Sequence, residues 1–193
     1  MPAADPIRDK KDIKRFVDFF REKRSMRNCL LMVMGIHTAL RVGDILRLKW
    51  SDVYDAKKGN IRKSFSLMEA KTGKKKTVAL NKEIMEILAL YAREGTPPKP
   101  DDYLFKSRIV NRPITRTQAY RIIQEAAAKL GIEGNISCHS LRKTFGYHAW
   151  KESYPLVVIM DIYNHSSYET TRRYLGVSQD DQDLIYLKMK FLE

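Results

Sequence analysis

The chain has 193 residues, 44% apolar and 31% charged, the balance of a globular protein with one core, and it has no run near the roughly 18–20 apolar residues a membrane helix needs. Its 36 basic and 23 acidic residues give a formal net charge of +13, which points to a polyanion as partner, either a nucleic acid or an anionic membrane surface. Cys29 and Cys138 do not make a secreted disulfide framework, the first fifteen residues do not read as a secretory signal, and neither the cysteines nor His37, His139, His148 and His165 stand at metal-ligand spacing, so reduced thiols, a cytoplasmic location and no metal are expected.

Residues 9–24 are predicted to form an amphipathic helix, because Ile13, Phe16, Val17 and Phe20 fall at i, i+3, i+4 and i+7 of one face. Residues 26–39 form a second helix that is apolar all round, which places it in the core. A short helical stretch through Ile45 and Leu46 leads to Trp50. The character then changes. Lys57-Lys58-Gly59-Asn60 is a turn, residues 61–67 have strand preference, Lys71-Thr72-Gly73-Lys74 turns on a glycine free to take a positive φ, and a strand returns over residues 76–80. A small antiparallel sheet is therefore expected at about residues 52–80.

Asn81 caps a helix carrying Ile84, Ile87, Leu88 and Tyr91 on one face, and Gly95, Pro97, Pro98 and Pro100 stop it. Thr115 and Gln118 form a capping box for a helix that Gly131 ends. From residue 140 onward the pattern is mainly helical, with interruptions near Pro155, Asn164 and Gly176. No internal repeat or low-complexity segment is present. The fold class is α+β, mainly α-helical, in a single domain over residues 1–193.

Three short strings carry the chemistry. The first is Thr38-Ala39-Leu40-Arg41-Val42-Gly43-Asp44-Ile45-Leu46-Arg47-Leu48, in which an arginine follows a buried helix. Pairing with Asp44 or capping a helix end would account for Arg41 without any function. The second is Cys138-His139-Ser140-Leu141-Arg142-Lys143-Thr144-Phe145-Gly146-Tyr147. On a helix, His139 and Arg142 stand at i and i+3 and project toward a common target. Two potential cations so placed repel each other unless an anion lies between them, and phosphate suits both the guanidinium fork and an imidazole that titrates near neutral pH. The third string is Asn164-His165-Ser166-Ser167-Tyr168-Glu169-Thr170-Thr171-Arg172-Arg173-Tyr174-Leu175. By itself Tyr174 reads as a packing residue with a wet hydroxyl.

Taken together and in order, these strings resemble the signature of the tyrosine recombinases, the phage integrase family: Ala-Leu-Arg-x-Gly-Asp or Glu, a hairpin lysine, His-x-x-Arg, and a histidine followed nine residues later by tyrosine. Arg41, Lys71, His139, Arg142, His165 and Tyr174 fill the six positions. Lys71 competes with Lys74, Lys75 and Lys76 for its place. The sequence departs from the family where Tyr163-Asn164-His165 replaces the usual Leu-Gly-His; asparagine tolerates the left-handed backbone a glycine would take, so the turn is expected to survive.

The resemblance implies the catalytic-domain fold of that family and a site-specific recombinase or integrase that needs no cofactor. Tyr174 would attack a phosphodiester and form a 3′-phosphotyrosine, with Arg41 and Arg142 neutralising the non-bridging oxygens. Lys71 would protonate the leaving oxygen, His139 would act as acid/base or hydrogen-bond partner, and His165 would donate to the phosphate.

Between residues 57 and 76 lie eight basic residues, Lys57, Lys58, Arg62, Lys63, Lys71, Lys74, Lys75 and Lys76, against one acid, Glu69. A solvated loop would explain that run equally well. With Arg112, Arg116 and the neighbouring Lys106, Arg108 and Arg121, they would hold the backbone of double-stranded DNA without reading its sequence. The resemblance also implies a monomer that assembles as a tetramer on DNA.

The separate amino-terminal clamp domain usual in the family is absent from the sequence, so the chain is read as a fragment or a short member that binds DNA weakly alone. Residues 178–193, with Leu184, Ile185, Leu187, Met189 and Phe191, are expected to form a tail helix packing either in cis or on a neighbouring protomer. Three other functions share much of the pattern: an inactive DNA-binding relative, a type IB topoisomerase-like enzyme, and a basic adaptor for RNA or acidic proteins.

Overall fold

The computed structural model describes residues 4–94, 99–109, 112–177 and 179–190. Helix α1, Lys10–Glu22, starts where the Asp9 side chain accepts from the Lys11 N–H at 2.7 Å, and it buries Phe16 and Phe20. Helix α2, Met26–His37, is the axis of the core. Every residue from Cys29 to Ile36 is buried, because α1, α5, α6 and α7 close around it.

Two one-turn helices follow, α3 at Val42–Ile45 and α4 at Trp50–Val53. Two antiparallel pairs of strands come next. Strand β1, Tyr54–Asp55, pairs with β2, Asn60–Ile61, and β3, Ser64–Met68, pairs with β4, Lys75–Ala79, in the register Phe65 to Val78 and Leu67 to Lys76. The one sheet expected over residues 52–80 is thus two hairpins. Ile61 is committed to the first, the Arg62 N–H donates to the Val53 carbonyl at 2.8 Å, and β3 begins only at Ser64. Gly73 takes the positive φ its turn requires, +64°.

The remaining helices are α5 at Lys82–Arg93, α6 at Arg116–Leu130, α7 at Cys138–Lys151, α8 at Leu156–Tyr163, α9 at Tyr168–Leu175 and α10 at Gln179–Lys188. Asn81 caps α5 through the Ile84 N–H, Thr115 and Gln118 cap α6 reciprocally, and Gly131 ends α6 in the left-handed region. Gly95, Pro97 and Pro98, expected to stop α5, lie outside the described residues, as do Ser178 and Phe191 of the expected tail. Among the described residues no helix is long and apolar enough to cross a membrane. Cys29 and Cys138 are both free thiols.

A second, smaller core sets up the site. Ala39, Ile159, Tyr163 and Leu175 are buried together, with Phe145, Trp150 and Tyr174 packed against them. It joins the end of α2 to α7, α8 and α9, the elements that hold the three strings picked out in the sequence.

Candidate active site

The first turn of α7 is built by its own side chains. Ser137 accepts from the His139 N–H at 3.2 Å, and Ser140 accepts from the Ser137 N–H at 2.9 Å. This fixes His139 at the second helical position and Arg142 one turn later. Arg142 is 1% exposed, an unusual place for a guanidinium, and it is held by backbone carbonyls. Its Nη1 donates to Ala39 O and its Nη2 to Tyr163 O at 3.0 Å, while Nε has no hydrogen-bond partner among the described residues. Ala39 presents its carbonyl from a left-handed conformation, φ 53°, which costs a residue with a β-carbon roughly 1–2 kcal/mol. The guanidinium also lies 4.7 Å from the Tyr163 ring centroid and 5.6 Å from that of Tyr174.

Arg41 stands just before α3, and its partner is Glu69 rather than Asp44: Nη1 donates to Oε1 at 3.0 Å. Asp44 instead accepts from Arg47 at 2.6 Å and from the Ala70 N–H at 2.9 Å, which pins the loop between β3 and β4 beside α3. The glycine of the first string has a steric reason. The Arg116 guanidinium lies against Gly43, where a β-carbon would collide with it.

Glu69 has no exposed side-chain surface, and it also accepts from Thr72 Oγ1 and Asn164 Nδ2, each at 2.8 Å. Burial opposes its ionisation, but those hydrogen bonds and the charges of Arg41 and Lys76 outweigh it and hold the carboxyl below its ordinary pKa. Asn164 ends α8 at φ 54°, the left-handed turn anticipated for it.

Tyr174, on α9, meets both histidines. Its hydroxyl is 3.0 Å from His139 Nε2, and its ring centroid is 4.8 Å from that of His165. His165 stacks on Tyr163 at 5.0 Å and hydrogen-bonds through Nδ1 to Thr171 Oγ1 at 3.1 Å. Desolvation, and after it the charges of Arg142 and Arg41, push the His165 pKa down to about 4. His139 is lowered as well, by desolvation first and then by Arg142, Lys143, Arg41 and Lys71. Both imidazoles are therefore neutral near pH 7, which leaves each ring one nitrogen able to accept a proton.

Lys71 is exposed in the β3–β4 turn, close enough for its charge to act on both histidines. The structure thus brings Arg41, His139, Arg142, His165 and Tyr174 together, with Lys71 near enough for its charge to reach both histidines. Lys57, Lys58, Arg62, Lys63, Lys74, Lys75, Arg112 and Arg116 are all exposed.

Lys76 is not on that outer surface. Its Nζ donates to Ile162 O at 2.6 Å, and burial, reinforced by Arg142 and Arg41, lowers its pKa to about 8. Lys76, expected from the sequence among the DNA-backbone contacts, is instead drawn inward, and Glu69 is the site residue that motif reading overlooks. Strand alternation contains the signal: Phe65, Leu67 and Glu69 continue one inward-facing row, and Lys76 stands opposite Leu67 in the row of Val78. Among the described residues no three His, Cys, Asp or Glu side chains are grouped so as to hold a metal ion.

Residues 8–180 match the sequence model of the phage integrase family. The chain is 36% identical over 186 residues to the probable integrase/recombinase YoeC of Bacillus subtilis (strain 168), covering 96% of this chain and 97% of that protein. It is 27% identical over 170 residues to the tyrosine recombinase XerA of Pyrococcus furiosus, covering 86% of this chain and 56% of that protein. Among solved structures, that of XerA recombinase superposes with a TM-score of 0.76 at 22% identity, over 99% of this chain and 66% of that one. XerH recombinase in its post-cleavage complex with a palindromic difH substrate gives a TM-score of 0.73 at 21% identity, over 97% of this chain and 54% of that one. Apart from the Bacillus protein, the chain spans about half to two thirds of these relatives.

Proposed function

Because the chain belongs to the phage integrase family, we propose that it is the catalytic domain of a site-specific recombinase that cuts and rejoins double-stranded DNA through Tyr174. The observation that supports this best is the Tyr174 hydroxyl at 3.0 Å from a neutral His139, with the Arg142 guanidinium and His165 beside the same ring. An inactive DNA-binding relative has no use for a phenol so placed.

In this mechanism Tyr174 Oη attacks the phosphorus and its proton passes to His139 Nε2. Arg41 and Arg142 take up charge on the non-bridging oxygens, and His165 donates to the same phosphate through Nε2 in the tautomer whose Nδ1 accepts from Thr171 Oγ1, the hydroxyl then giving up its 3.3 Å bond to Ser167 O. The bond to the 5′ oxygen breaks, and Lys71 protonates that oxygen as it leaves. One phosphodiester is exchanged for another, so no nucleotide triphosphate is consumed. Attack by a different 5′ hydroxyl on the phosphotyrosine reverses the step and completes strand exchange. Lys57, Lys58, Arg62, Lys63, Lys74, Lys75, Arg112 and Arg116 hold the DNA backbone around the site. The reaction belongs to the cytoplasm, where two free thiols stay reduced.

Assembly follows from the tail. The Lys151–Asp181 ion pair at 2.5 Å ties the start of α10 to α7, while Leu184, Ile185, Leu187 and Met189 are exposed. A cavity of about 900 Å³ between α1, α2, α5, α7 and α8, lined by Ile13, Val17, Val33, Ile36, Ile87 and Ile159, offers such a tail a place on a second copy. On this reading the monomer forms a tetramer only on DNA, and a domain of this size alone binds its site weakly.

The test is incubation with a pool of nicked duplexes of randomised sequence, whose short product strand diffuses away after cleavage. The native chain accumulates a covalent protein–DNA adduct, and Tyr174→Phe accumulates none. Tight DNA binding without an adduct contradicts the proposal. Supercoil relaxation without joined products assigns the chain to topoisomerase-like chemistry instead.

A further inference from the structure

The turn before His165 carries asparagine where a glycine would take the left-handed backbone at lower cost. The asparagine side chain is engaged: Nδ2 donates to Glu69 Oε2 at 2.8 Å. The same buried carboxylate accepts from Thr72 Oγ1 at 2.8 Å and from Arg41 Nη1 at 3.0 Å. One carboxylate therefore joins three segments, namely the turn bearing Arg41, the hairpin bearing Lys71 and the turn bearing His165. Among the described residues no other hydrogen bond restrains the Arg41 guanidinium. The charges of Arg41, Arg142 and Lys76 act on one another, and the Glu69 carboxylate is the anion placed among them, bonded directly to Arg41.

We propose that Glu69 and Asn164 form a positioning clamp that fixes the Arg41 guanidinium, and the hairpin beside it, against the His165 turn before DNA arrives. Glu69 and Asn164 are positioning residues in this account, and it rests on the reading that Arg41 holds the scissile phosphate. The clamp takes one nitrogen of the guanidinium and leaves the others for phosphate, so the arginine is oriented without being occupied.

Asn164→Asp tests the clamp cleanly. Aspartate has the same shape and also tolerates the left-handed backbone, but it sets a second carboxylate against Glu69. Asn164→Gly serves as the variant that keeps the turn without strain. On the nicked duplexes, single-turnover cleavage should fall on the order of 100-fold for Asn164→Asp and about tenfold for Asn164→Gly, with DNA affinity within about threefold of the native chain. Combining Asn164→Gly with Glu69→Gln should be no slower than Glu69→Gln alone, because both remove the same link.

A merely structural asparagine predicts the opposite pattern, with both variants cleaving at the native rate, and that result overturns the clamp. If the native chain forms no adduct, the catalytic reading fails by itself, and NMR relaxation of the Arg41 guanidinium then decides the clamp. Restricted motion in the native chain that is freed in Asn164→Asp supports it. Equal motion in the two proteins refutes it.

Discussion

The active site and the carboxyl-terminal helix invert the usual partition of a globular protein in opposite ways. At the site, Arg142, Glu69 and Asp44 are buried charges, 1–2% exposed, and each is engaged by backbone carbonyls, side-chain donors or an ion pair. In α10, Ile185, Tyr186 and Leu187 are apolar groups left 60–81% exposed by the described residues. The difference teaches which region is finished before DNA binds. Most polar atoms of these buried charges already have partners in the absence of DNA, Arg142 Nε and Asp44 Oδ2 excepted among the described residues, so the hydrogen-bond network of the site does not wait for DNA. On the proposed reading, the exposed apolar side chains at the end of α10 are where a second copy docks.

The strongest way to break the comparison is to take a charge out of the finished region. Arg142→Ala should lower cleavage by about 10²–10³-fold, since one phosphate ligand is lost. It should also destabilise the fold, because Ala39 O and Tyr163 O each lose a donor at a cost of roughly 1–3 kcal/mol per acceptor. Thermal unfolding and adduct formation measured on the same sample separate the two effects.

Lys71→Ala should slow cleavage by about 10²–10⁴-fold with little change in stability, because its side chain is exposed. A duplex with sulfur in place of the bridging 5′ oxygen sharpens this, since a thiolate leaves without being protonated. Such a substrate should rescue Lys71→Ala and leave Arg142→Ala defective; rescue of neither variant would remove Lys71 from the role of acid.

Deleting the chain after Gly176 probes the unfinished region. The deleted protein should keep its fold and Tyr174, yet lose multimer formation on DNA in sedimentation by about tenfold or more in concentration. Unchanged assembly would show that the tail packs at home.

The smallest effect is on stability against pH. His165 is neutral in the fold down to about pH 4 but titrates near 6.5 when unfolded, so the unfolded chain binds the extra proton in that interval. Stability should therefore fall as the pH drops from about 6.5 to about 4, and His165→Asn should flatten that limb. Glu69 adds to the loss at still lower pH, because its carboxyl titrates below the unfolded value. Lys76 acts at the other end. Its folded pKa of about 8 lies below the unfolded value of about 10.4, so stability should rise with pH across that window, and Lys76→Met should abolish the rise.

The sequence disclosed the helices and the six motif positions because both are local. Ile13, Phe16, Val17 and Phe20 fix the face of α1 by spacing alone, and the interval from His139 to Arg142 is one helical turn. The division into two hairpins was not legible, since it depends on whether Ile61 pairs with Tyr54 or extends the next strand, which is a choice between neighbours of similar strand preference. Lys76 looked like one more solvated lysine because its burial is decided by the α8 carbonyl of Ile162, far away in sequence. Glu69 was visible as the lone acid of a basic run, but its partner Asn164 lies 95 residues on, and pairings across such distances leave no local trace.

Mapping the residue that carries DNA tests the central claim most directly. After trapping on a nicked duplex and digestion with protease, the peptide joined to the 3′ phosphate should be the one containing Tyr174. DNA joined through Tyr168 or any other residue, or an adduct that persists in Tyr174→Phe, would contradict the account.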